Sequence, residues 1–128
     1  CMWKFYLSIV LLLTGCMYLQ PKQNSMSDLS QNEWANALVE YPEAVVLDVR
    51  TEDEFESGHI PNALNIDLRM GPGFIDEVNA LDKNKSYYVY CRSGARSAQA
   101  IQVMRDLGFS ETYNLIGGIL EWEGETVE

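Results

Sequence analysis

The sequence predicts an α/β fold, a parallel sheet with helices on both faces, because strand and helix signals alternate along residues 26–128. Residues 44–49 are almost continuously apolar and rich in β-branched side chains, as expected of a strand covered on both faces. Residues 94–107 place apolar side chains at helical spacing and are followed by Gly108, a typical helix stop. Ligands of such sheets bind at the carboxyl ends of the strands, so we expect a site there.

Local signals predict the remaining elements in order. Capping boxes at residues 30–33 and 51–54 begin two helices, the first reaching about Glu40 and the second ending near Gly58. Further strands are predicted at residues 63–66, 87–90 and 113–115, a helix at 74–81, and a final turn around Trp122. We expect the large aromatic residues to lie in the core or the sheet, with Tyr88 or Tyr90 beside a pocket as the alternative; they are Trp34, Trp122, Tyr87, Tyr88 and Tyr90.

The composition fits one globular domain that does not bind nucleic acid. The chain has 128 residues, of which 47% are hydrophobic and 22% charged, and its formal net charge is −10. Nucleic acids and anionic lipid surfaces are bound by clustered Lys and Arg, so the acidic excess argues against both as partners. We interpret most of this charge as a means of keeping the surface soluble.

Residues 1–15 have the pattern of a signal peptide. The apolar run at residues 5–13 contains a single Ser and is shorter than the roughly 20 residues that cross a bilayer. It ends in LTGC at residues 13–16, which resembles the lipobox of bacterial lipoproteins. This resemblance implies cleavage before Cys16, acylation of Cys16, and a membrane anchor in the bacterial cell envelope, with the domain facing the periplasm or the exterior. The alternatives are an uncleaved signal anchor and a buried strand or helix of the domain.

Each of the three cysteines needs its own explanation, because they include no close pair of the kind that binds zinc or forms a dithiol redox centre. Cys1 precedes Met2, which we take as the initiator, and we interpret it as a cloning remnant. Cys16 begins a mostly polar segment, residues 16–25, that is predicted to be a flexible tether to a domain at residues 26–128. Cys91 is then the free thiol of the mature chain.

The segment CRSGARS at residues 91–97 combines a thiol with groups that stabilise a thiolate. A strand ends at Cys91, and a long helix begins near Gly94, so backbone N–H groups and the helix dipole are directed at one centre. Arg92 and Arg96 add cationic donors. Such groups lower a thiol pKa from about 8.5 to about 7 or less. Screening beyond about 8 Å leaves them dominant over the net negative charge. The alternative is that Cys91 is a small buried apolar residue.

Four motifs in order resemble the rhodanese family, and they cover roughly residues 26–126. Each is weak alone, but together they are highly specific. The first is LDVR at residues 47–50, followed by Glu54 and Phe55, and the second is GHIPNA at 58–63, which departs from the family's G-H-I-P-G-A only at Asn62. The third is the cysteine loop at residues 91–96, in which the cysteine is followed by two residues, Gly, one residue and Arg. The fourth is LIGG at 115–118 with Trp122.

The resemblance implies a five-stranded parallel sheet flanked by helices on both faces, and a two-step transfer of sulfur. Cys91 would take sulfane sulfur from thiosulfate or a similar small sulfur anion, become a persulfide, and pass the sulfur to a thiol or cyanide acceptor. The residues whose backbone amides would hold the persulfide are Arg92, Ser93, Gly94, Ala95 and Arg96. No metal and no organic cofactor is implied.

Four further residues are expected to support the cysteine loop, namely Asp48, Arg50, His59 and Ser97. For Asp48 and Arg50 we expect an ion pair that braces the loop, with direct contact to substrate as the alternative. His59 is the single histidine. We expect it to make a fixed structural hydrogen bond, with a role as general base for Cys91 as the alternative.

Three functions fit a reactive Cys91. A sulfurtransferase turns over thiosulfate, whereas a persulfide carrier relays sulfur to a partner protein with little turnover of its own. A redox-sensing thiol forms a stable sulfenate or mixed disulfide under peroxide. Cysteine phosphatases and arsenate reductases are disfavoured, because they place one residue more between cysteine and arginine than the four found here between Cys91 and Arg96.

Overall fold

The computed structural model describes residues 27–128. The signal peptide, the acylated Cys16 and the tether predicted for residues 1–25 lie outside the described residues, as does Cys1. In chain order the elements are β1 (Ser27–Leu29), α1 (Gln31–Glu40), β2 (Val45–Asp48), α2 (Glu52–Glu56), β3 (Leu64–Asn65), a 3-10 helix (Leu68–Met70), α3 (Pro72–Asn79), β4 (Tyr87–Tyr90), α4 (Ala95–Asp106), β5 (Thr112–Leu115) and α5 (Gly118–Glu121).

The five strands form one sheet in the order β1-β5-β4-β2-β3, and every neighbouring pair is parallel. The predicted fold class is therefore confirmed. Strand β4 lies at the centre, with Tyr90 opposite Asp48 of β2 and Val89 opposite Asn114 of β5. The carboxyl ends of these three strands meet at one edge of the sheet, and Cys91 directly follows the central one.

Alternating residues of the strands divide the core between the two faces of the sheet. Leu47 and Val89 pack in one buried cluster with residues of α3 and α4, whereas Val46 and Tyr88 pack in a second cluster with Trp34 of α1. Helices thus cover both faces, which explains why the strands read as continuous apolar runs.

The predicted aromatic core is confirmed for four residues and only partly for Trp122. Trp34, Tyr87, Tyr88 and Tyr90 are each at most 3% exposed. Trp122 is half-buried and packs edge-on against Trp34, with ring centroids 5.5 Å apart. The Tyr90 hydroxyl accepts a hydrogen bond from the Ile60 N–H, which explains how its polar end is accommodated inside the core.

Local capping chemistry sets most helix boundaries. The Thr51 side chain and Glu54 form a complete capping box at α2. At α1 the Ser30 hydroxyl accepts the Glu33 N–H as predicted, but the Glu33 carboxylate bonds that hydroxyl instead of completing the box through the backbone. Helix α3 begins at Pro72, two residues before the predicted start, because proline suits a first helical turn.

Strand β1 was not predicted by the residue pattern, which indicated only four strands. It has three residues and lies at the edge of the sheet, where β5 is its one pairing partner among the described strands. So short a segment has no readable periodicity. Within residues 27–128, no helix has both the length and the apolar character needed to cross a membrane.

Candidate active site

Cys91 lies at the junction between β4 and α4, with its side chain 1% exposed. Gly94 is the N-cap of α4 and has a φ of +107°, a backbone conformation that residues other than glycine rarely adopt. This conformation directs the Gly94 N–H to the Cys91 sulfur, with N and Sγ 3.1 Å apart. The thiol is therefore both buried and hydrogen-bonded. The sequence had left a thiol held by N–H donors and a small buried residue as alternatives, and Cys91 has features of both.

Helix α5 orients the peptide groups of the cysteine loop. The Cys91 carbonyl accepts the Ile119 N–H and the Arg92 carbonyl accepts the Leu120 N–H, each at 3.0 Å. The C=O and N–H of a trans peptide point in opposite directions. Because both carbonyls face α5, the N–H groups of Arg92 and Ser93 point away from it.

The environment of Cys91 favours its ionised form. Burial, the largest single influence, raises the pKa of the Cys91 thiol, but hydrogen bonds to the sulfur together outweigh it and leave the pKa below its ordinary value. The donors are the Ser97 side chain and the backbone N–H groups of Ser97, Gly94 and Ser93. Hydrogen bonds thus replace the solvation that burial removes.

Arg96 does not act as the free cationic donor that the sequence suggested. Its guanidinium forms a bidentate ion pair with the Glu54 carboxylate of α2, at 2.8 and 2.9 Å. This pair ties the start of α4 to α2, and the hydrogen bond from Arg96 is the main cause that lowers the pKa of Glu54 to about 2. Arg92, Ser93 and Ala95 are exposed on the loop, and Arg92 is the loop's outward-facing cation.

Asp48 and Arg50 form the predicted ion pair, with Nη2 and Oδ2 2.7 Å apart and both side chains buried. This pair was expected to brace the cysteine loop, but it contacts the segment after α2 instead. Arg50 donates to the Gly58 carbonyl at 2.7 Å, and its guanidinium lies 5.6 Å from the centre of the Tyr90 ring. It therefore ties the end of β2 to the segment after α2, and the ion pair that touches the cysteine loop is the one between Arg96 and Glu54.

His59 has the contacts of a structural residue. Its Nδ1 lies 2.9 Å from the Phe55 carbonyl oxygen, and its ring stacks on the Phe55 ring at 3.7 Å. Its backbone also bonds that of Val127 in an isolated antiparallel bridge. The imidazole therefore packs on α2, while the His59 backbone holds the C-terminal segment.

Ser97 supports the loop from within α4, and it has one partner, Asn114, that the sequence analysis did not single out. Its hydroxyl oxygen is 2.6 Å from Asn114 Oδ1 and 3.4 Å from Cys91 Sγ. The Asn114 amide in turn donates to the Asp28 carboxylate at 3.1 Å. The sequence offered one signal of this contact, an asparagine within the strand predicted at residues 113–115, because a buried amide requires hydrogen-bond partners.

A cleft of about 660 Å³ lies beside α2 and β3 and does not include Cys91 in its lining. Four of its seven lining residues are acidic, and they are Glu52, Glu56, Asp67 and Glu77. Such a surface repels anions, so this cleft does not suit an anionic ligand. Among residues 27–128 no group of His, Cys, Asp and Glu side chains is arranged to hold a metal ion.

Comparison with known proteins identifies the family. The profile of the Rhodanese-like domain matches residues 31–125, so the chain belongs to the rhodanese-like family. It is 42% identical to the putative sulfurtransferase YtwF of Bacillus subtilis over 84 residues, which cover 66% of this chain and 78% of that protein. It is 37% identical to the putative sulfur carrier protein YrkF of the same organism, over 63% of this chain and 42% of YrkF.

A solved structure shows the same fold. The crystal structure of a rhodanese-like domain protein from Staphylococcus aureus superimposes with a TM-score of 0.68 and 34% sequence identity, over 78% of this chain and 94% of that one. Together these relatives place the chain among sulfurtransferases and sulfur carriers. The chain spans less than half the length of YrkF.

Gly118→Ala should disturb the cysteine loop, because an added Cβ would overlap the Arg92 carbonyl carbon and oxygen. Gly108→Ala is the control, since Gly108 follows the C-cap of α4 with a positive φ of +104° and a Cβ there would meet only Lys83 Cδ, at an ordinary contact distance of 3.8 Å. Both variants carry backbone strain of about 1–2 kcal/mol. We expect Gly118→Ala to cost a further 1–3 kcal/mol or so in urea unfolding. Equal losses would contradict this close approach.

The ion pair between Glu54 and Arg96 predicts a specific loss of stability in acid. Hydrogen bonding to Arg96 lowers the pKa of Glu54 from 4.5 to about 2, so its contribution is complete above pH 4.5 and is lost as the pH falls toward about 2. Glu54→Gln should therefore cost about 1 kcal/mol near neutral pH, since the pair is partly exposed, and the cost should shrink as the pH falls through about 2 and vanish below it. Chemical unfolding across this pH range measures the difference, with Glu52→Gln on the same helix as the control. A cost that does not change with pH would contradict the assignment.

Proposed function

We propose that the protein is a sulfurtransferase in which Cys91 carries sulfur as a persulfide between a small anionic donor and a thiophilic acceptor. The observation that carries this proposal is the 3.1 Å hydrogen bond from the Gly94 N–H to a buried Cys91 sulfur whose pKa is lowered by its donors. A thiolate held by N–H groups is a nucleophile, and the same groups can hold a second sulfur that bears the charge.

In the first step the Cys91 thiolate attacks the outer, sulfane sulfur of thiosulfate. A bond forms between Sγ and that sulfur, the sulfur–sulfur bond of thiosulfate breaks, and its electron pair leaves with sulfite. The product is a Cys91 persulfide whose terminal sulfur is negative. Charge is conserved, since one thiolate and one dianion become one persulfide anion and one dianion.

In the second step a nucleophilic acceptor, either a thiolate or cyanide, attacks the terminal sulfur. The persulfide bond breaks, its electron pair returns to Sγ, and the Cys91 thiolate is restored. During both steps the N–H groups of Ser93 and Gly94 are available to the negative sulfur. Helix α5 holds the Arg92 carbonyl, and with it the Ser93 N–H points away from α5, whereas the Gly94 N–H already bonds Sγ. This is stabilisation by fixed dipoles, which requires no reorganisation during the reaction.

A persulfide carrier is the second candidate, and it is favoured by one observation. Cys91 is 1% exposed, which restricts the approach of a freely diffusing acceptor and suits delivery to a docked protein partner. The similarity to a protein named as a putative sulfur carrier supports the same direction. Both candidates require the persulfide, and they differ in turnover.

Treatment with thiosulfate should add the mass of one sulfur atom to the Cys91 peptide, and thiosulfate:cyanide turnover should be lost in Cys91→Ser. Cys16→Ser is the matched control, because it removes a cysteine outside the domain and should leave both results unchanged. Intact and peptide mass spectrometry measure the first result, and thiocyanate formation measures the second.

Each outcome distinguishes the candidates. Sulfur addition without turnover supports the carrier. Turnover that survives in Cys91→Ser, or sulfur addition at another residue, contradicts both. A stable sulfenate at Cys91 under peroxide without any persulfide supports a redox sensor instead.

We also propose that the protein is anchored to a bacterial envelope membrane through an acylated Cys16 and faces the periplasm or the exterior. The support is the apolar run followed by LTGC at residues 13–16. Ten residues, 17–26, separate Cys16 from β1, which begins at Ser27, so the tether reaches at most about 35 Å from lipid to domain.

Expressed in a bacterium with residues 1–15 present, the protein should partition with membranes and carry a lipid on Cys16. Cys16→Ser should abolish the acylation, whereas Cys91→Ser should not affect it. Fractionation and mass spectrometry of the N-terminal peptide measure this. Unmodified, soluble wild-type protein would remove the anchor and leave the sulfur chemistry unaffected.

A further inference from the structure

The Ser97 hydroxyl has one hydrogen and three acceptors around it. Its oxygen lies 2.6 Å from Asn114 Oδ1, 3.1 Å from the Gly94 carbonyl oxygen and 3.4 Å from Cys91 Sγ. A hydroxyl donates one hydrogen bond at a time, so only one of these acceptors can receive it. Ser97 is fully buried, and no bulk solvent reaches its side chain to supply a second donor.

The orientation of the Asn114 amide follows from its other neighbours. Nδ2 is 3.1 Å from the Asp28 carboxylate and 3.3 Å from the Gly94 carbonyl oxygen, and both of these groups only accept. The reversed amide would place Oδ1 against two acceptors. Asp28 therefore directs Oδ1 to Ser97, where the 2.6 Å separation requires that the Ser97 hydrogen lie between the two oxygens.

We propose that Asn114, oriented by Asp28, competes with the Cys91 sulfur for the single hydroxyl hydrogen of Ser97 and so acts as a positioning residue that sets how readily the thiol ionises. In the thiol state Ser97 donates to Asn114. When the thiol proton leaves to solvent, the hydroxyl turns to the sulfur and Asn114 Oδ1 loses its donor. Asn114 is 5% exposed, so an acceptor left without a donor there is costly.

This competition links β1 to the site. Asp28 lies on the edge strand and Asn114 on β5, and they are 86 residues apart in the chain. Charged groups around the thiol include Asp28 of β1, Asp48 and Arg50 at β2, Glu54 of α2, Asp67 before the 3-10 helix, Arg92 of the loop and Arg96 of α4. Among these, Asp28 alone contacts the Asn114 amide in the described part of the chain. The inference rests on the proposed role of a Cys91 thiolate.

The test is the pKa of the Cys91 thiol in the full chain, from the pH dependence of alkylation by iodoacetamide, quantified on the Cys91 peptide so that other cysteines do not contribute. Asn114→Leu releases the Ser97 hydrogen to the sulfur and should lower the thiol pKa by about one unit, or about tenfold more thiolate at a pH below the pKa. Ser97→Ala should raise the pKa. Asn65→Leu, which removes an amide from β3, is the control and should not change it.

The decisive comparison is the same substitution made in Ser97→Ala, where no hydroxyl hydrogen remains. The shift caused by Asn114→Leu should disappear there. Asp28→Asn covers the case in which Asn114→Leu does not fold, because Asp28 is exposed. Asp28→Asn also removes a negative charge, and the part of the thiol pKa shift that this causes persists in Ser97→Ala. The inference therefore requires that Asp28→Asn shift the thiol pKa less in Ser97→Ala than in the wild type.

Two results would overturn the inference: shifts of equal size with and without Ser97, or no fall in the pKa in either variant. Alkylation needs no sulfur donor, so this test is independent of the proposed activity. A protein that takes no sulfur from thiosulfate but shows the coupled shifts would retain the inference and lose the function.

Discussion

A buried negative sulfur is the constraint on which the site depends, since burying an uncompensated charge is strongly unfavourable. At Cys91 the compensation comes from backbone N–H groups and one hydroxyl, and among residues 27–128 no cation bonds the sulfur directly. This requires several consecutive peptide groups to present the same side to one atom. Their carbonyls must then be accommodated on the other side, and α5 provides N–H donors for two loop carbonyls, those of Cys91 and Arg92.

The rest of the sheet edge holds this arrangement in place with two ion pairs that have separate tasks. Asp48 and Arg50 are buried beside Tyr90 and fix the segment after α2, so the strands next to Cys91 keep their relative positions. Glu54 and Arg96 join that same α2 to the start of α4. Arg96 thus contributes positive potential near the sulfur while its donors are directed elsewhere. A neutralised arginine limits how strongly the site attracts an anion, and the exposed Arg92 is the loop cation left to meet an approaching donor.

What the sequence predicted depended on the range of the interactions involved. The capping box at Thr51 and the stop at Gly108 involve neighbouring residues, and the helix boundaries they imply were found to within a few residues. The cysteine loop was predicted from its own spacing together with its resemblance to a family. The pairs between Glu54 and Arg96 and between Asp28 and Asn114 join residues 42 and 86 positions apart, and no local pattern encodes them. The role of Gly118 likewise depends on how closely α5 approaches the loop, which a glycine in a sequence does not reveal.

The chain carries a net charge of −10, yet its proposed donor is an anion, so short-range hydrogen bonds must dominate over long-range repulsion. The most direct test of that claim is a crystal structure of the protein after treatment with thiosulfate. The account predicts a second sulfur bonded to Cys91 Sγ and within hydrogen-bonding distance of the Ser93 and Gly94 N–H groups. An unmodified Cys91, or a second sulfur directed away from those N–H groups, would contradict it.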